Sequence, residues 1–434
     1  MEGAYAVSHL RLLTPAPNQA TLDARPAGPW RNGRRRSGCR LSVYGALLLL
    51  CFSLALWGCG SDDAYSTIPG GQVKAWTFML YDQADAPLGS YDPMEDFCAR
   101  VASGCDVNFV VLQDTRGDSA RIWYVDPSHE AVLYQEAGEV NMGDGQTLLD
   151  FVEYSKAVFP AHRYILAFYG HGGGWRGACF DRTSHDDGLT MDEMAEAIWD
   201  AGGVDLVVFT SPCLMGAVES AYELRNCTDV YIGSQNYCGY AFWDAPMADI
   251  GRAISNTPGI TNHELAHLII DAVWEYRDMW VGEDWYSNLA VSAVRTDSLY
   301  ALVEALDAVA LDYLNSPGRL HGRVSWVYFA ISVFGEEAVD IYDMADCLLI
   351  PEDQDSTRAR LETLKQCLES CVICECHDPM WHAHGLSVYF PYRSEYGHSP
   401  EYGAPETALD FVEDTHWDEL LDVYPYDFPG TPLP

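Results

Sequence analysis

Two side chains suited to chemistry, an imidazole and a thiol, each stand just beyond an apolar run of this chain. His171 follows the run at 164–169 and is itself followed by three glycines. Cys213 follows the run at 206–209 and the tripeptide Thr-Ser-Pro. A thiol that a neighbouring imidazole deprotonates is a nucleophile, so these residue types favour catalysis by cysteine if folding brings them together.

The segment that carries both residues has the pattern of alternating strands and helices. Strands are predicted at 163–169 and 204–209, and helices at 190–201 and 214–224. Such an order predicts an α/β fold in which parallel strands are joined by a crossover. Ligand sites in these folds lie at the carboxyl ends of the strands, so the thiol and the imidazole should meet at one edge of a single sheet.

The predicted helix at 214–224 bears on the reactivity of Cys213. A helix N-terminus stabilises an anion by roughly 0.3–1 kcal/mol, so this placement is expected to lower the pKa of the thiol. The glycines after His171 allow the backbone to approach a substrate closely. The amide groups of Gly172 and Cys213 are the expected donors to an oxyanion formed during attack on a carbonyl.

Two motifs resemble the clostripain family of cysteine endopeptidases. They are His-Gly-Gly-Gly-Trp at 171–175 and Cys-Leu-Met-Gly-Ala-Val-Glu-Ser at 213–220. Further agreement lies at 76–81, 141–144, 339–345 and 385–391. The resemblance implies a caspase-like α/β/α sandwich with a mostly parallel central sheet. It also implies a catalytic dyad of His171 and Cys213 that cleaves peptide bonds in protein or peptide substrates.

One position departs from the family pattern. The resemblance implies an Asp two residues before the nucleophile, lining a pocket for Arg or Lys at the cleaved position, where this chain has Ser211. Ser211 stays a candidate substrate-binding residue, although a hydroxyl cannot supply the missing charge. Asp244 is the candidate acid that could compensate, and a solvated loop carboxylate is the alternative. A peptide-library cleavage profile tests whether basic residues are preferred.

The N-terminal residues have the composition of an export segment and a tether. Arginines at 31–40 precede an apolar run at 41–57, and Leu-Trp-Gly-Cys at 56–59 is similar to a bacterial lipobox. We therefore expect a signal peptide at 1–58, a lipid on Cys59 and a tether at 59–72. The protein would then be anchored to the bacterial cell envelope, at the outer membrane or cell surface. An ordinary signal peptide or a single anchor helix is the alternative.

The remaining chain is expected to form a catalytic α/β core at 73–260 and a more helical part at 261–434. Helices in the second part are predicted at 263–279, 297–314, 338–349, 357–371 and 407–423. A strand at 385–390 is expected to return to the core.

The charge of the chain restricts its partners. The formal net charge is −39, so the surface repels nucleic acid and anionic membranes. The expected partners are protein or peptide substrates and the membrane reached through the lipid anchor. No cofactor is expected to be required. Calcium is a candidate ligand of the acidic residues Asp186, Asp187, Asp192 and Glu193, whose spacing does not match an EF-hand. A solvated acidic face is the alternative.

The cysteines agree with export. Beyond Cys59 and Cys213 the exported part has ten of them, an even number, which in an oxidising compartment favours five disulfides. The alternative is a zinc site built from the cysteines and histidines at 367–384. A count of free thiols and of metal in the purified protein separates the two.

Two other functions compete with peptide cleavage. His-Gly-Gly-Gly also occurs as the oxyanion loop of lipases and esterases, but the Gly-x-Ser-x-Gly elbow that those enzymes need is absent from this chain. The second is a surface-anchored binding lipoprotein with an inactive protease fold. The residue at position 211 favours this alternative, and the presence of both His171 and Cys213 opposes it.

Overall fold

A computed structural model describes most of the chain beyond the predicted tether. The residues described are 73–85, 107–117, 119–125, 131–238, 244–277, 289–316, 333–334, 337–350, 352, 354–379, 381–391, 399, 401–404 and 409–423. The predicted signal peptide, the tether and Cys59 lie outside them.

A nine-stranded sheet forms the centre of the fold, in the order β13-β10-β9-β8-β5-β1-β2-β3-β4. Two small sheets, β11-β12-β14 and β6-β7, accompany it. The strands are β1 Lys74–Ala84, β2 Asn108–Thr115, β3 Ala120–Val125, β4 Ala131–Gly138, β5 Ala161–Tyr169, β6 Ala178–Asp181, β7 Asp187–Leu189, β8 Val204–Phe209, β9 Thr228–Ser234, β10 Ala290–Arg295, β11 Val333–Phe334, β12 Ala338–Asp340, β13 Val372–His377 and β14 Ser387–Tyr389. The strands β2, β1, β5, β8 and β9 run parallel, and antiparallel strands extend both edges. The predicted, mostly parallel central sheet is therefore confirmed.

Helices cover both faces of this sheet. They are α1 Gly145–Val158, α2 Met191–Asp200, α3 Val218–Glu223, α4 Asp244–Asn256, α5 Asn262–Tyr276, α6 Leu299–Leu314, α7 Ile341–Leu349, α8 Asp355–Cys371, α9 Asp410–Asp414 and α10 Trp417–Val423. Residues of α1, α2, α3, α6, α7 and α8 share one apolar core, and residues of α4 and α5 share another. The predicted α/β/α sandwich is confirmed.

Side chains that alternate along each central strand explain the two cores. In β1, Met79 and Tyr81 belong to the first core, whereas Phe78 and Leu80 belong to the second. Every residue of β8 is buried. A parallel strand covered by helices on both faces must be apolar on both, which is why such strands appear in the sequence as continuous apolar runs.

The second part of the chain is rich in helices, as predicted, and the strand predicted at 385–390 is found as β14, which packs in the first core, but this part also has strands that were not predicted. The segment predicted as a helix at 338–349 begins with the strand β12, and the helix α7 starts only at Ile341. The Asp340 carboxylate caps this helix by accepting the Asp343 N–H at 2.9 Å. The strand predicted at 385–390 pairs with β12 in a small sheet. The central sheet instead gains β10 and β13, which were not predicted.

The nine cysteines in the described part of the chain are all unbridged, so the predicted pattern of five disulfides is not found there. The cluster at the end of α8 is split by the sheet. Cys367 and Cys371 pack against the first core, whereas Cys374 and Cys376 pack against the second. Four cysteines divided in this way cannot share one zinc ion, because its ligands must lie within about 2.3 Å of the metal.

Among the described residues, no helix combines the length and the apolar composition that crossing a membrane requires.

Glu219 in α3 is a buried acid that joins the second part of the chain to the core. It accepts hydrogen bonds from the Tyr389 N–H at 2.7 Å and the Tyr402 hydroxyl at 2.9 Å. Burial raises the pKa of this carboxyl to about 7 from an ordinary 4.5. The folded state therefore binds more protons than the unfolded state between these two values, and the stability contributed by the protonated group is lost as the pH rises through them.

We expect the Glu219→Gln variant to lose this part of the pH dependence, since glutamine accepts the same two hydrogen bonds without a charge. The free energy of unfolding of the wild type should fall by up to about 3 kcal/mol more than that of the variant between mildly acidic and mildly alkaline pH. Urea denaturation at the two pH values measures the difference. Glu362→Gln, at an exposed position of α8, is the matched control. Equal pH dependence in Glu219→Gln and wild type would contradict the expectation.

Candidate active site

The strands β5 and β8 end at the same edge of the sheet, and His171 and Cys213 follow them. The strands pair in parallel, with Phe168 opposite Phe209 near their carboxyl ends. Thr210 extends the pairing by one step, because its N–H and its hydroxyl both donate to the Phe168 carbonyl, at 3.0 and 2.7 Å. The predicted adjacency of these two strands is confirmed.

Gly172 lies directly against the backbone of Cys213. A Cβ atom at position 172 would be 2.4 Å from the Cys213 carbonyl oxygen and 2.7 Å from its nitrogen. Carbon atoms do not approach other heavy atoms so closely, so any residue larger than glycine would push the two turns apart. The residue after His171 is therefore in contact with the residue that bears the thiol.

The N–H groups of Gly172 and Cys213 are the predicted oxyanion donors. Gly172 forms an antiparallel bridge with Ala178, and the two hydrogen bonds of that bridge, 2.8 and 2.9 Å long, are made by the flanking residues. In this type of bridge, the Gly172 N–H points away from Ala178 and takes no part in the hydrogen bonds between the two segments. Within the described part of the chain, neither N–H donates to a backbone carbonyl. Both groups thus suit a ligand oxygen, and their catalytic role stays a prediction.

The chain after Cys213 makes a turn, and the helix predicted to begin at 214 begins at Val218. Leu214 has a φ of 64°, in the left-handed region, and donates its N–H to the Asn236 carbonyl at 3.1 Å. The segment after the thiol is thus tied to the chain that follows β9. The expectation that a helix N-terminus stabilises the thiolate is wrong, because the helix starts five residues after the thiol.

Burial controls the ionisation of Cys213. It raises the pKa of this half-buried thiol above the ordinary 9.0, and a hydrogen bond from the Cys238 N–H, 3.3 Å from Sγ, offsets part of the effect. The Cys238 carbonyl lies 3.8 Å from the same sulfur. The Cys213 thiol is therefore uncharged at neutral pH.

Burial also controls the ionisation of His171. It lowers the pKa of the imidazole below the ordinary 6.5; the Arg182 guanidinium lowers it further, and the Asp85 carboxylate opposes both. Asp85 is almost fully buried and accepts the N–H groups of Arg182 and Thr183 at 2.8 and 3.0 Å. The imidazole is thus uncharged at neutral pH, which is the form that can accept a proton from a thiol.

Further buried carboxylates lie at this edge of the sheet. They are Asp82 in β1, Asp114 in β2 and Asp181 in β6. Burial, and then repulsion from Asp181 and other nearby acids, raises the pKa of Asp114 to about 8. Among the residues that the structure describes, neither oxygen of the Asp114 carboxyl has a hydrogen-bond partner, which agrees with an uncharged group. Sequence reasoning missed these acids because Asp82 and Asp114 stand at the ends of apolar runs.

The other predicted site residues lie in different settings. Ser211 is fully buried, and its hydroxyl accepts the Gly170 N–H at 2.9 Å and donates to the Gly170 carbonyl at 3.1 Å. Asp244 is the first residue of α4, and its side chain is outside what the structure describes. Substrate contacts of Ser211 and Asp244, like the lipid on Cys59, stay predictions.

The acids predicted as calcium ligands take part in local structure. The Asp187 carboxylate accepts the Asn141 side-chain amide at 2.6 Å. Asp192 and Glu193 accept the Thr190 hydroxyl at 2.6 and 2.7 Å at the start of α2. In the part of the chain that the structure describes, no three or more His, Cys, Asp or Glu side chains are placed to hold a metal ion. A role for calcium stays a prediction.

Cys238 is the neighbour of the thiol that sequence reasoning missed. It lies four residues beyond β9, the strand next to β8 in the sheet. Cys213 likewise lies four residues beyond β8. This repeated order of strand, short loop and cysteine is the sequence feature from which the position of Cys238 beside Cys213 could have been predicted.

Comparisons with known proteins agree with the fold and identify the family. Residues 94–424 match the clostripain family, peptidase C11. Clostripain from Hathewaya histolytica is 34% identical to this chain over 101 residues, a match that covers 20% of this chain and 19% of that protein. The chain thus matches about a fifth of the length of that curated relative.

Solved structures show the same fold at low sequence identity. A secreted C11 cysteine protease from Bacteroides thetaiotaomicron, in complex with an irreversible peptide inhibitor, has a TM-score of 0.60 and 17% identity, with 80% of this chain and 100% of that chain covered. An inactive zymogen of a C11 protease from Parabacteroides distasonis has a TM-score of 0.57 and 17% identity, with 82% and 99% covered. Since the family match extends over most of its length, the chain belongs to the clostripain family of cysteine peptidases.

Proposed function

We propose that this protein hydrolyses peptide bonds in protein or peptide substrates, with Cys213 as the nucleophile and His171 as the general base and acid. One observation carries the proposal: the turn after His171 touches the backbone of Cys213, a contact that only glycine at position 172 permits. The thiol is unbridged and half-buried, and the imidazole is uncharged, which supports the same chemistry.

In the first step, Cys213 Sγ attacks the carbonyl carbon of the scissile bond and His171 takes the thiol proton. A carbon–sulfur bond forms and the carbonyl oxygen becomes negative. The N–H groups of Gly172 and Cys213 stabilise that charge. Because burial keeps the resting thiol uncharged, proton transfer accompanies the attack rather than preceding it.

In the second step, the carbon–nitrogen bond breaks and the His171 imidazolium donates its proton to the leaving amine. A thioester on Cys213 remains. Water attacks this thioester and gives up a proton to His171, and that proton returns to the departing sulfur. Each cycle therefore consumes one water and restores both side chains to their uncharged state.

We expect Cys213 to react with iodoacetamide about tenfold or more faster than Cys367, a half-buried thiol on α8 that serves as an internal control. His171→Ala should slow the alkylation of Cys213 by about 10²-fold, because general-base assistance is lost, and should leave Cys367 unchanged. Mass spectrometry of the two tryptic peptides over time gives both rates.

Peptidase activity should also depend on the thiol of Cys213. Cys213→Ala is expected to abolish cleavage of a peptide library, whereas Cys227→Ala, at a buried cysteine at the other end of β8 and β9, should retain it. Equal alkylation of Cys213 and Cys367, with no effect of His171→Ala, would contradict the proposed dyad and favour a binding protein with an inactive protease fold.

The two pKa shifts set the pH dependence of the reaction. His171 must be uncharged to act as a base, and its lowered pKa places the acid limb of kcat/KM below pH 6.5. In His171→Ala, alkylation of Cys213 should rise only as the pH approaches and passes 9.0, the value above which burial moves the pKa of the thiol. Initial-rate peptidase assays over a range of pH measure the acid limb of kcat/KM, and alkylation rates over the same range measure the ionisation of Cys213. Fast alkylation of the wild type that does not change below pH 6.5 would instead indicate a preformed ion pair of thiolate and imidazolium.

We further propose that the protein is exported and carries a lipid on Cys59. The support is the lipobox-like sequence at 56–59 after a basic and then an apolar segment. In a bacterial host grown with a labelled fatty acid, the wild type should incorporate label and Cys59→Ala should not, since acylation needs that thiol. Cys51→Ala, within the apolar run, is the matched control and should be labelled. Label retained in Cys59→Ala would exclude this attachment site.

A further inference from the structure

We propose that Ser211 is a positioning residue, whose hydroxyl holds the turn of His171 at the distance from Cys213 that proton transfer requires. This role rests on the dyad proposed above. It differs from the substrate contact that the sequence predicts for the same residue.

The hydroxyl of Ser211 replaces a hydrogen bond of the sheet. In a parallel ladder that continued past Phe168, the Gly170 N–H would donate to the Thr210 carbonyl. Here Gly170 leaves the ladder with a φ of 138°, and its N–H donates to Ser211 Oγ at 2.9 Å. The same hydroxyl donates back to the Gly170 carbonyl at 3.1 Å. One side chain thus satisfies both backbone groups of the residue that precedes His171.

The place of this pair in the chain makes it relevant to the dyad. The pair of Gly170 and Ser211 joins the segments that follow β5 and β8, one residue before His171 and two residues before Cys213. Between Ser211 and the nucleophile stands Pro212, which has no N–H to donate. The next contact between the two turns is the close approach of Gly172 to Cys213. Ser211 therefore fixes one side of His171 and Gly172 fixes the other.

The burial of Ser211 agrees with a role that acts through the backbone. The residue has no exposed surface. Its O–H is already donated to the Gly170 carbonyl and its oxygen accepts the Gly170 N–H. Because the residue is buried, a substrate side chain could reach the remaining lone pair only if the surrounding backbone moved. A hydroxyl that holds two backbone groups in a buried position sets geometry rather than specificity.

A double-mutant cycle on Cys213 alkylation tests the proposal. Ser211→Ala should lower the alkylation rate of Cys213 by about tenfold or more in the wild-type background, because small displacements of a catalytic pair are costly. In the His171→Ala background the same change should have less than about a twofold effect, since the contribution that Ser211 supports is already absent. In peptide cleavage kcat should fall by a similar factor while KM changes by less than about twofold.

Two further variants separate positioning from general stability. Ser211→Thr keeps the hydroxyl and should retain activity within about threefold if the backbone bonds are what matters. Ser292→Ala is the matched control. Ser292 lies in β10, two strands away from β8, and its buried hydroxyl also donates to a glycine carbonyl, that of Gly385. Its removal should leave the alkylation of Cys213 unchanged. Circular dichroism checks that each variant is folded.

The outcomes that overturn the proposal are distinct from those that overturn the dyad. An increase in KM with unchanged alkylation in Ser211→Ala would assign the residue to substrate binding. Equal losses in the wild-type and His171→Ala backgrounds would assign it to stability alone. If His171→Ala itself does not slow alkylation, the proposed function fails first and the positioning role fails with it.

Discussion

The parallel pairing of β5 with β8 is the constraint on which the site depends. Their register places Phe168 opposite Phe209, so two segments 42 residues apart in sequence leave the sheet side by side. Beyond the last ladder bond the turns stay together through a buried hydroxyl on one side and the contact of a glycine with the Cys213 backbone on the other. A longer side chain at 172 would separate the two turns, whatever chemistry His171 and Cys213 perform.

Burial shifts the pKa values of Cys213 and His171, the proposed dyad, in opposite directions, and both shifts favour the uncharged forms. The thiol has a raised pKa and the imidazole a lowered one, so the low-polarity site holds neither ion at rest. Asp114 at the same edge follows the same rule, since burial raises the pKa of its carboxyl to about 8. An edge built this way favours reactions in which charge appears only as bonds form, where preorganised N–H groups can stabilise it.

The second part of the chain supports the turn after Cys213 rather than forming a separate unit. The N–H of Ser387 in β14 donates to the Gly216 carbonyl at 2.9 Å, three residues after the thiol. On its other side Gly216 donates to Ser234 at the end of β9, and a Cβ at 216 would be 2.5 Å from the Gln235 nitrogen. The segment after Cys213 is thus held between β9 and β14. Glu219, buried beneath Tyr389 and Tyr402, fixes the start of α3 in the same arrangement.

The sequence by itself determined the α/β class and the central strands, and it singled out His171 and Cys213 as the candidates for chemistry. These follow from local causes. A strand covered on both faces must be apolar throughout, and Thr190 with Glu193, three residues further on, forms a capping box at the start of α2. Only the tertiary structure decided where α3 begins, because the turn after Cys213 is shaped by bonds to Ser234, at the end of β9, and to Asn236, just beyond it. It also decided the direction of the pKa shifts, the separation of the cysteines at 367–376 by the sheet, and the burial of Ser211. Each of these depends on which distant segments pack together, and no local pattern of residues encodes that.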